Sequence, residues 1–223
     1  MSVVFDLDGT LIDSEHIWAD VRRKFVLDHG GKWHDQAQAT MIGMRTTEWA
    51  QYIHRDLGVA MPPEQIAEQV VDAVKERLGQ ALPILPGAQA ALERLAAAFP
   101  LGLATSAALP VARTVLETAG WAHFFKAVVS ADEVTRGKPA PDVYLRALEL
   151  LQVSAGDSAA VEDSGNGIKS AAAAGLAVVA IPNHDYPPGA DALKLATTVL
   201  PSLMALEPAA IKHAIAQRKR PTR

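Results

Sequence analysis

The chain has no cysteine among its 223 residues, which excludes disulfide bonds, cysteine-ligated zinc sites and catalysis by a thiol. It has no apolar stretch of membrane-spanning length, and its net charge is only −4. That charge favours neither a nucleic acid nor a membrane surface as a partner. The first strand-like residues begin at Ser2 and leave no room for a signal peptide, so we expect a cytoplasmic protein.

The composition is that of an ordinary globular protein, with 49% hydrophobic residues, 15 glycines and 14 prolines. The length suits one large domain, or one domain that carries an insert. A basic cluster ends the sequence, at Arg218, Lys219, Arg220 and Arg223. Because this cluster is short and isolated, we interpret it as a solvated tail rather than a nucleic-acid site.

A pair of acids follows the first predicted strand. Residues 2–5 form a short apolar run with β-branched members, which predicts a buried strand. Asp6 and Asp8 come next, and Gly9 permits a tight turn after them. Ligands of α/β proteins bind outside the carboxyl ends of the strands, where these acids lie. A solvated turn is the alternative, because the Asp-x-Asp pattern alone is weak evidence.

Residues 15–83 predict an inserted helical domain. They show helical periodicity over 16–29, 46–57 and 64–78, and more weakly over 34–41. The proline-rich segment 83–87 follows, and we interpret it as the linker by which the chain returns. We therefore assign residues 15–83 to a helical cap domain, and residues 1–14 and 84–223 to the core.

Beyond residue 87, helices and strands alternate. Strands are predicted over 101–105, 127–130, 158–161, 177–181 and 197–200, and helices over 88–99, 110–119, 141–151, 168–174 and from 208 onward. Such alternation is typical of a parallel sheet that is covered on both faces. The predicted fold class is therefore α/β, a doubly wound parallel sheet of the Rossmann-like type with an inserted α-helical cap.

Polar side chains follow three further strands. They are Thr105, Ser106, Lys138, Glu162 and Asp163. The ends of parallel strands converge at one edge of a sheet, so these groups should meet the two acids that follow the first strand. Taken singly they have ordinary explanations, such as a surface lysine or acids that cap a helix. Taken together, oxygen ligands with one lysine and hydroxyls predict Mg²⁺ beside a phosphate.

Four segments of the chain resemble the successive motifs of the haloacid dehalogenase-like hydrolases. They are Asp-Leu-Asp-Gly-Thr at 6–10, the strand-terminal Thr105, Lys-Pro-Ala-Pro-Asp at 138–142, and Val-Glu-Asp-Ser-Gly-Asn-Gly at 161–167. The helical insert is similar to the cap of the branch that holds β-phosphoglucomutase, phosphoglycolate phosphatase and small sugar-phosphate phosphatases. The resemblance spans the whole chain.

The resemblance implies a role for each group at the reacting phosphate. Asp6 would be the nucleophile, and Asp8 would be the general acid and base. Thr105, Ser106 and Lys138 would bind the phosphoryl group that is transferred.

The resemblance also implies a Mg²⁺ cofactor. Asp6, the backbone carbonyl of Asp8, and Asp163 would hold the ion, with Glu162 supporting them. The partner would be a small phosphorylated metabolite, and we expect a monomer.

Substrate choice is expected to lie with the cap. The branch places specificity residues in the loop between two cap helices, where Arg45 stands. Arg45 is therefore a candidate for binding the leaving group, and Trp18, Trp49 and Tyr52 are candidates for lining the pocket. The alternative is a surface arginine with core aromatics.

One departure from the family pattern bears on the reaction. Ala107-Ala108-Leu109 follows the second predicted strand, where the phosphoglucomutase has polar and basic residues for a second phosphate. We therefore expect a Mg²⁺-dependent phosphatase rather than a sugar phosphomutase. A non-catalytic binding protein is the rival of a different class, and the intact Asp6, Asp8, Lys138 and Asp163 speak against it.

Overall fold

The computed structural model describes residues 1–218. Three members of the basic cluster, Lys219, Arg220 and Arg223, lie outside the described residues, so their predicted role as a solvated tail stays a prediction. Within the described part of the chain, no helix is both long and apolar enough to cross a membrane.

One parallel sheet forms the centre of the described residues. Its strands are β1 (Ser2–Phe5), β2 (Leu101–Thr105), β3 (Phe125–Ser130), β4 (Ser158–Glu162), β5 (Ala177–Ala180) and β6 (Thr198–Val199). Their order across the sheet is β3-β2-β1-β4-β5-β6, and every pair is parallel. β1, β2, β4 and β5 are buried along their whole length. This burial explains why most of their residues are apolar, without the alternation of a strand that has one exposed face.

The helices of residues 1–218 are α1 (Glu15–Asp28), α2 (Ala37–Met41), α3 (Thr46–Arg55), α4 (Pro63–Gln80), α5 (Ala88–Ala96), α6 (Leu109–Thr118), α7 (Asp142–Leu151), α8 (Gly165–Ala173), α9 (Ala190–Leu193) and α10 (Pro208–Arg218). α5 to α8 and α10 connect or follow the strands, as in a doubly wound fold. The predicted fold class, α/β with a helical insert, is confirmed.

The helix and strand bounds differ from the predicted ones at a few places. α8 begins at Gly165 rather than at residue 168, because the Ser164 hydroxyl accepts a hydrogen bond from the Gly167 amide and caps the helix there. β3 begins two residues before the predicted position, at Phe125. The short helix α9 has no counterpart among the predictions, since its four residues are too few for a helical period.

The chain leaves the core and returns to it along two adjacent segments. The Asp13 amide donates to the Pro83 carbonyl over 2.8 Å, and the Leu85 amide donates to the Leu11 carbonyl over 3.0 Å. Helices α1 to α4 lie between these segments, and their buried apolar side chains belong to one cluster with those of the core. Among them, α4 packs against α1, α3 and the core helix α6. The assignment of residues 15–83 to a cap domain stays a prediction.

Strands β1 and β4 are neighbours at the point where the strand order reverses. The chain runs outward from β1 through β2 to β3, and then β4 pairs with the other side of β1. Phe5 is in register with Val161, so Asp6 and Glu162 leave the sheet side by side. This reversal is where open α/β sheets bind ligands.

Candidate active site

Lys138 contacts two acids, Asp6, which follows β1, and Glu162, which ends β4. Its Nζ lies 2.6 Å from the Asp6 Oδ1 and 2.6 Å from the Glu162 Oε1. All three side chains are buried, with at most 7% of any one exposed. A buried lysine is stable here because two carboxylates surround its charge.

Glu162 accepts hydrogen bonds from every side. Besides Lys138, the Tyr144 hydroxyl donates to Oε1 over 2.7 Å, while the amide of Asp163 and both the amide and hydroxyl of Ser164 donate to Oε2. Gly167 passes close by, since a Cβ there would lie about 2 Å from the Glu162 carboxylate. Glu162 therefore positions Lys138 and has few acceptor sites left for a ligand.

Asp163 completes a group of three acids. One oxygen each of Asp6, Glu162 and Asp163 lies within 4.8 Å of the others. The Thr10 hydroxyl donates to Asp163 Oδ1 over 3.0 Å. Gly9 lies beside it with φ of +84°, and a Cβ at that residue would be 2.2 Å from Asp163 Oδ2. Glycine is thus required here for both its backbone conformation and its lack of a side chain.

If all three acids were ionised, they would carry more negative charge than Lys138 can neutralise. Burial raises the pKa of Asp6 to about 8, although the attraction of Lys138 lowers it. Burial and the neighbouring carboxylates also raise the pKa of Asp163 well above its usual range. Burial lowers the pKa of Lys138, but the attraction of Asp6 and Glu162 outweighs this and raises it. A further cation is therefore needed to keep these carboxylates ionised. Mg²⁺ fits, because it prefers oxygen ligands such as these.

Asp8 lies between core and cap. Its Oδ1 accepts hydrogen bonds from the Ser14 hydroxyl and from the Trp18 indole, over 2.5 and 3.1 Å. Its Oδ2 accepts from the Thr105 hydroxyl over 3.3 Å. Three donors fix the orientation of this carboxyl group, which lines the same cavity as Asp6.

The predicted phosphate-binding residues occupy two positions relative to the cavity. Ser106 and Lys138 line it. Thr105 is fully buried, and its hydroxyl lies between Asp8 and the Ala107 amide, from which it accepts a hydrogen bond of 3.0 Å. The phosphate-binding roles of these residues stay predictions.

Among the predicted cap residues, the two tryptophans line the cavity. Trp18 and Trp49 meet edge to face, with their ring centroids 6.1 Å apart. Arg45 lies elsewhere, in a neighbouring groove, because its guanidinium already binds the Glu48 carboxylate and the Thr135 carbonyl. This position differs from the one expected of a residue that contacts the leaving group. Tyr52 contacts His34 outside the cavity.

Several residues of the site were not predicted. Glu15 and Arg22 line the cavity from α1, on the same helical face as Trp18. Their spacing from Trp18, three residues before and four after, is the signal by which they could have been found. Tyr144 had no comparable signal, because only the tertiary fold brings α7 beside Glu162.

A family model described as haloacid dehalogenase-like hydrolase matches residues 3–181. The fructose-1-phosphate phosphatase YqaB of Escherichia coli is 32% identical over 178 residues, which are 79% of this chain and 94% of that protein. A bifunctional riboflavin kinase/FMN phosphatase of Arabidopsis thaliana is 29% identical over 183 residues, 81% of this chain. The match spans only 48% of that plant protein.

Solved structures share the same architecture. The crystal structure of CbbY from Rhodobacter sphaeroides in complex with phosphate superposes with a TM-score of 0.81 and 23% identity. The likeness covers 95% of this chain and 98% of that one. At this identity the comparison shows a common fold.

Proposed function

The chain belongs to the haloacid dehalogenase-like hydrolase family, and from this premise we propose that it is a Mg²⁺-dependent phosphatase of a small phosphorylated metabolite. The observation that supports this most directly is the buried contact of Lys138 with Asp6 and Glu162. Asp163 lies beside them at the same edge of the sheet. The names of similar proteins, among them a fructose-1-phosphate phosphatase, agree with this reaction class.

Asp6 is the nucleophile in this proposal. Its carboxylate oxygen attacks phosphorus, a new O–P bond forms, and the bond from phosphorus to the leaving oxygen breaks. Asp8 gives a proton to that leaving oxygen, which departs as an alcohol. Water then attacks phosphorus while Asp8 takes a proton from the water, and the bond between phosphorus and the Asp6 oxygen breaks. Inorganic phosphate leaves, and the Asp6 carboxylate is regenerated.

Lys138 supplies positive charge next to the attacking oxygen. An anionic carboxylate and a phosphate dianion repel each other, so the approach requires neutralisation. The Nζ of Lys138 lies 2.6 Å from Asp6, and Glu162 orients it there. Ser106 lines the cavity nearby and offers a hydroxyl donor to the phosphoryl oxygens.

Asp6, Asp163 and the backbone carbonyl of Asp8 would hold Mg²⁺. When bound, the ion neutralises the carboxylates and polarises the phosphoryl group. Glu162 supports this set through its bonds to Lys138 and to the Asp163 amide.

The phosphomutase alternative requires a second anion site for a bisphosphate. Ala107 and Ala108 are buried and have no side-chain donor to offer. Arg45, the cap residue predicted to bind the leaving group, is already bound to Glu48 and Thr135.

Arg22 is a cation that does line the cavity. Its partner Gln38 also holds the Glu15 carboxylate, which would repel a second phosphate when ionised. Hydrolysis is therefore favoured over phosphoryl transfer between two positions of one sugar.

A screen of phosphorylated metabolites tests the function. Purified protein with Mg²⁺ should release inorganic phosphate from at least one small monophosphate, and excess chelator should abolish this release. Mg²⁺ should restore it, whereas Ca²⁺ should not, since its looser coordination misplaces the nucleophile. Undiminished turnover in chelator would remove the metal from the proposal.

Phosphorus NMR separates the two reactions. With β-glucose 1-phosphate and a bisphosphate primer, we expect inorganic phosphate and no accumulation of glucose 6-phosphate. Faster formation of glucose 6-phosphate would establish the mutase instead. A monomeric, cytoplasmic enzyme is part of the proposal, and light scattering of the purified protein tests the first property.

A further inference from the structure

Arg22 is a buried cation in the cap wall of the cavity. Only 5% of its surface is exposed, yet it lines the same cavity as Asp6 and Asp8. Its guanidinium carbon lies 4.5 Å from the ring centroid of Trp18 and 4.9 Å from that of Trp49. The two indoles fix the position of this charge and shield it from bulk water.

Most of the donors of Arg22 are unused. A guanidinium has five N–H groups. Within residues 1–218, its one hydrogen bond goes to the Gln38 Oε1 over a long 3.5 Å, and its Nε is buried without a partner. Buried donors are normally satisfied, so an arginine in this state at a cavity wall points to a ligand that supplies acceptors.

Glu15 supplies acceptors at the same wall. It stands two helical turns before Arg22 on α1 and lines the cavity beside it. Gln38 links the two, because its amide nitrogen donates to Glu15 Oε2 over 3.0 Å while its oxygen accepts from Arg22. With Glu15 ionised, the pair presents donors and acceptors with no net charge.

We propose that Arg22 and Glu15 form the subsite for the leaving group, and that they select a neutral, hydroxyl-bearing group over one with a second anion. This inference rests on the proposed phosphatase function and names its substrate class. A hydroxyl both accepts from Arg22 and donates to Glu15, whereas a second phosphate or a carboxylate would face the Glu15 carboxylate. Trp18 and Trp49 give the carbon skeleton an apolar surface.

Competition between matched substrates tests the selectivity. Three hydroxylated monophosphates serve as probes, namely glycerol 3-phosphate, ribose 5-phosphate and glucose 6-phosphate. Phosphoglycolate serves as the probe with a second anion, and phenyl phosphate as the probe without hydroxyls. For the wild-type protein, kcat/KM of the best hydroxylated probe should exceed that of phosphoglycolate at least tenfold. A preference for phosphoglycolate would overturn the inference.

Substitutions then separate the two side chains. Arg22→Met removes the donors but keeps an unbranched apolar side chain, and it should lower the kcat/KM ratio of the best hydroxylated probe to phenyl phosphate at least tenfold. At a pH above 7, where the Glu15 carboxyl is ionised, Glu15→Gln removes a negative charge and should shift the preference toward phosphoglycolate at least tenfold. Arg23→Met is the matched control, since Arg23 is exposed on the same helix, and it should leave both ratios within twofold.

Binding gives a second readout that does not depend on turnover. On an Asp6→Asn background, calorimetry should show that Arg22→Met weakens binding of the hydroxylated probe at least tenfold more than binding of inorganic phosphate. Equal losses for both ligands would reduce Arg22 to a packing residue and overturn the inference. If Arg22→Met does not fold, the shift in preference between the hydroxylated probe and phosphoglycolate in Glu15→Gln becomes the test, and the absence of a shift overturns the inference.

The two proposals fail in different ways. If no probe, phenyl phosphate included, releases phosphate with Mg²⁺, the phosphatase function itself is wrong. If phosphate is released but the ratios do not change in Arg22→Met and Glu15→Gln, only the subsite is wrong.

Discussion

In the core half of the cavity, Lys138 makes two contacts of 2.6 Å, whereas in the cap half the hydrogen bond from Arg22 to Gln38 is 3.5 Å long. Asp6 and Glu162 stand at the ends of adjacent strands, and the register of those strands fixes their relative positions. The cap residues stand on helices that pack through apolar side chains. In the core half, Lys138 and Glu162 are thus held by internal partners, whereas in the cap half most donors of Arg22 stay free for a ligand.

The largest effect is expected for Asp6→Asn, which removes the nucleophile from the core half. An amide is a poor nucleophile, so phosphate release should fall by about 10⁴-fold or more. Released phosphate measures the loss, and circular dichroism checks the fold. Asp72→Asn, at an exposed residue of α4, is the matched control and should keep wild-type turnover. Near-wild-type activity of a folded Asp6→Asn protein would end the mechanism.

Gly167→Ala should disturb the core half without removing any of its functional groups. The new methyl would meet the Glu162 carboxylate at about 2 Å, so Glu162 must move and take Lys138 with it. We expect kcat/KM to fall by about 10²-fold and the free energy of unfolding to fall by about 1–3 kcal/mol.

Gly165→Ala is the control for this substitution. Gly165 lies two residues before Gly167 on the same helix. A Cβ at Gly165 would make only ordinary contacts, 3.7 Å from the Cβ of Ala192 and 4.0 Å from that of Pro188. Measurements of activity and of chemical denaturation should therefore show losses for Gly167→Ala and wild-type values for Gly165→Ala. If Gly165→Ala and Gly167→Ala behaved alike, the close packing around Glu162 would not matter for catalysis.

Arg45→Ala should lower kcat/KM less than Arg22→Met does, and it should do so without changing substrate preference. Arg45 links the cap to the core through the Thr135 carbonyl, and it does not line the cavity. We therefore expect kcat/KM to fall by about threefold to tenfold for all substrates alike, since one charged hydrogen bond is lost. Arg55→Ala, at an exposed residue of α3, is the control. A change in substrate preference would instead support the prediction that Arg45 is a specificity residue.

Glu15→Gln should also have an effect on stability, and this effect depends on pH. Burial and the charge of Asp8 raise the pKa of Glu15 from 4.5 to about 7, although Arg22 lowers it. Between pH 4.5 and about 7, Glu15 keeps its proton in the folded protein but has lost it in the unfolded chain. Rising pH therefore favours unfolding in this range. The wild-type protein should thus lose at most about 3 kcal/mol relative to Glu15→Gln as pH rises through this window. Urea unfolding in chelator measures the difference, and a constant offset would contradict it.

Much of the core half could be predicted from the sequence. The strand-end acids and Lys138 stand in motifs with short, fixed spacing, and parallel strands bring their ends together by geometry alone. The cap half could be predicted only in part. The interpretation of Arg45 depended on its place in a loop, yet Glu48 three residues later and the distant Thr135 decide where its guanidinium points.

The sequence by itself determined the order of strands and helices, the helical insert, and which acids follow which strand. Those features are local, since they depend on periodicity and on neighbouring residues. Only the tertiary structure decided that Gly167 packs against Glu162, that Tyr144 donates to it, and that Arg22 lies between two indoles with unused donors. Tyr144 lies 18 residues before Glu162, Trp49 stands on a different helix from Arg22, and Gly167 stands on the helix that follows the strand of Glu162. The packing of these elements against one another sets the distances between the side chains, and no spacing in the sequence specifies that packing.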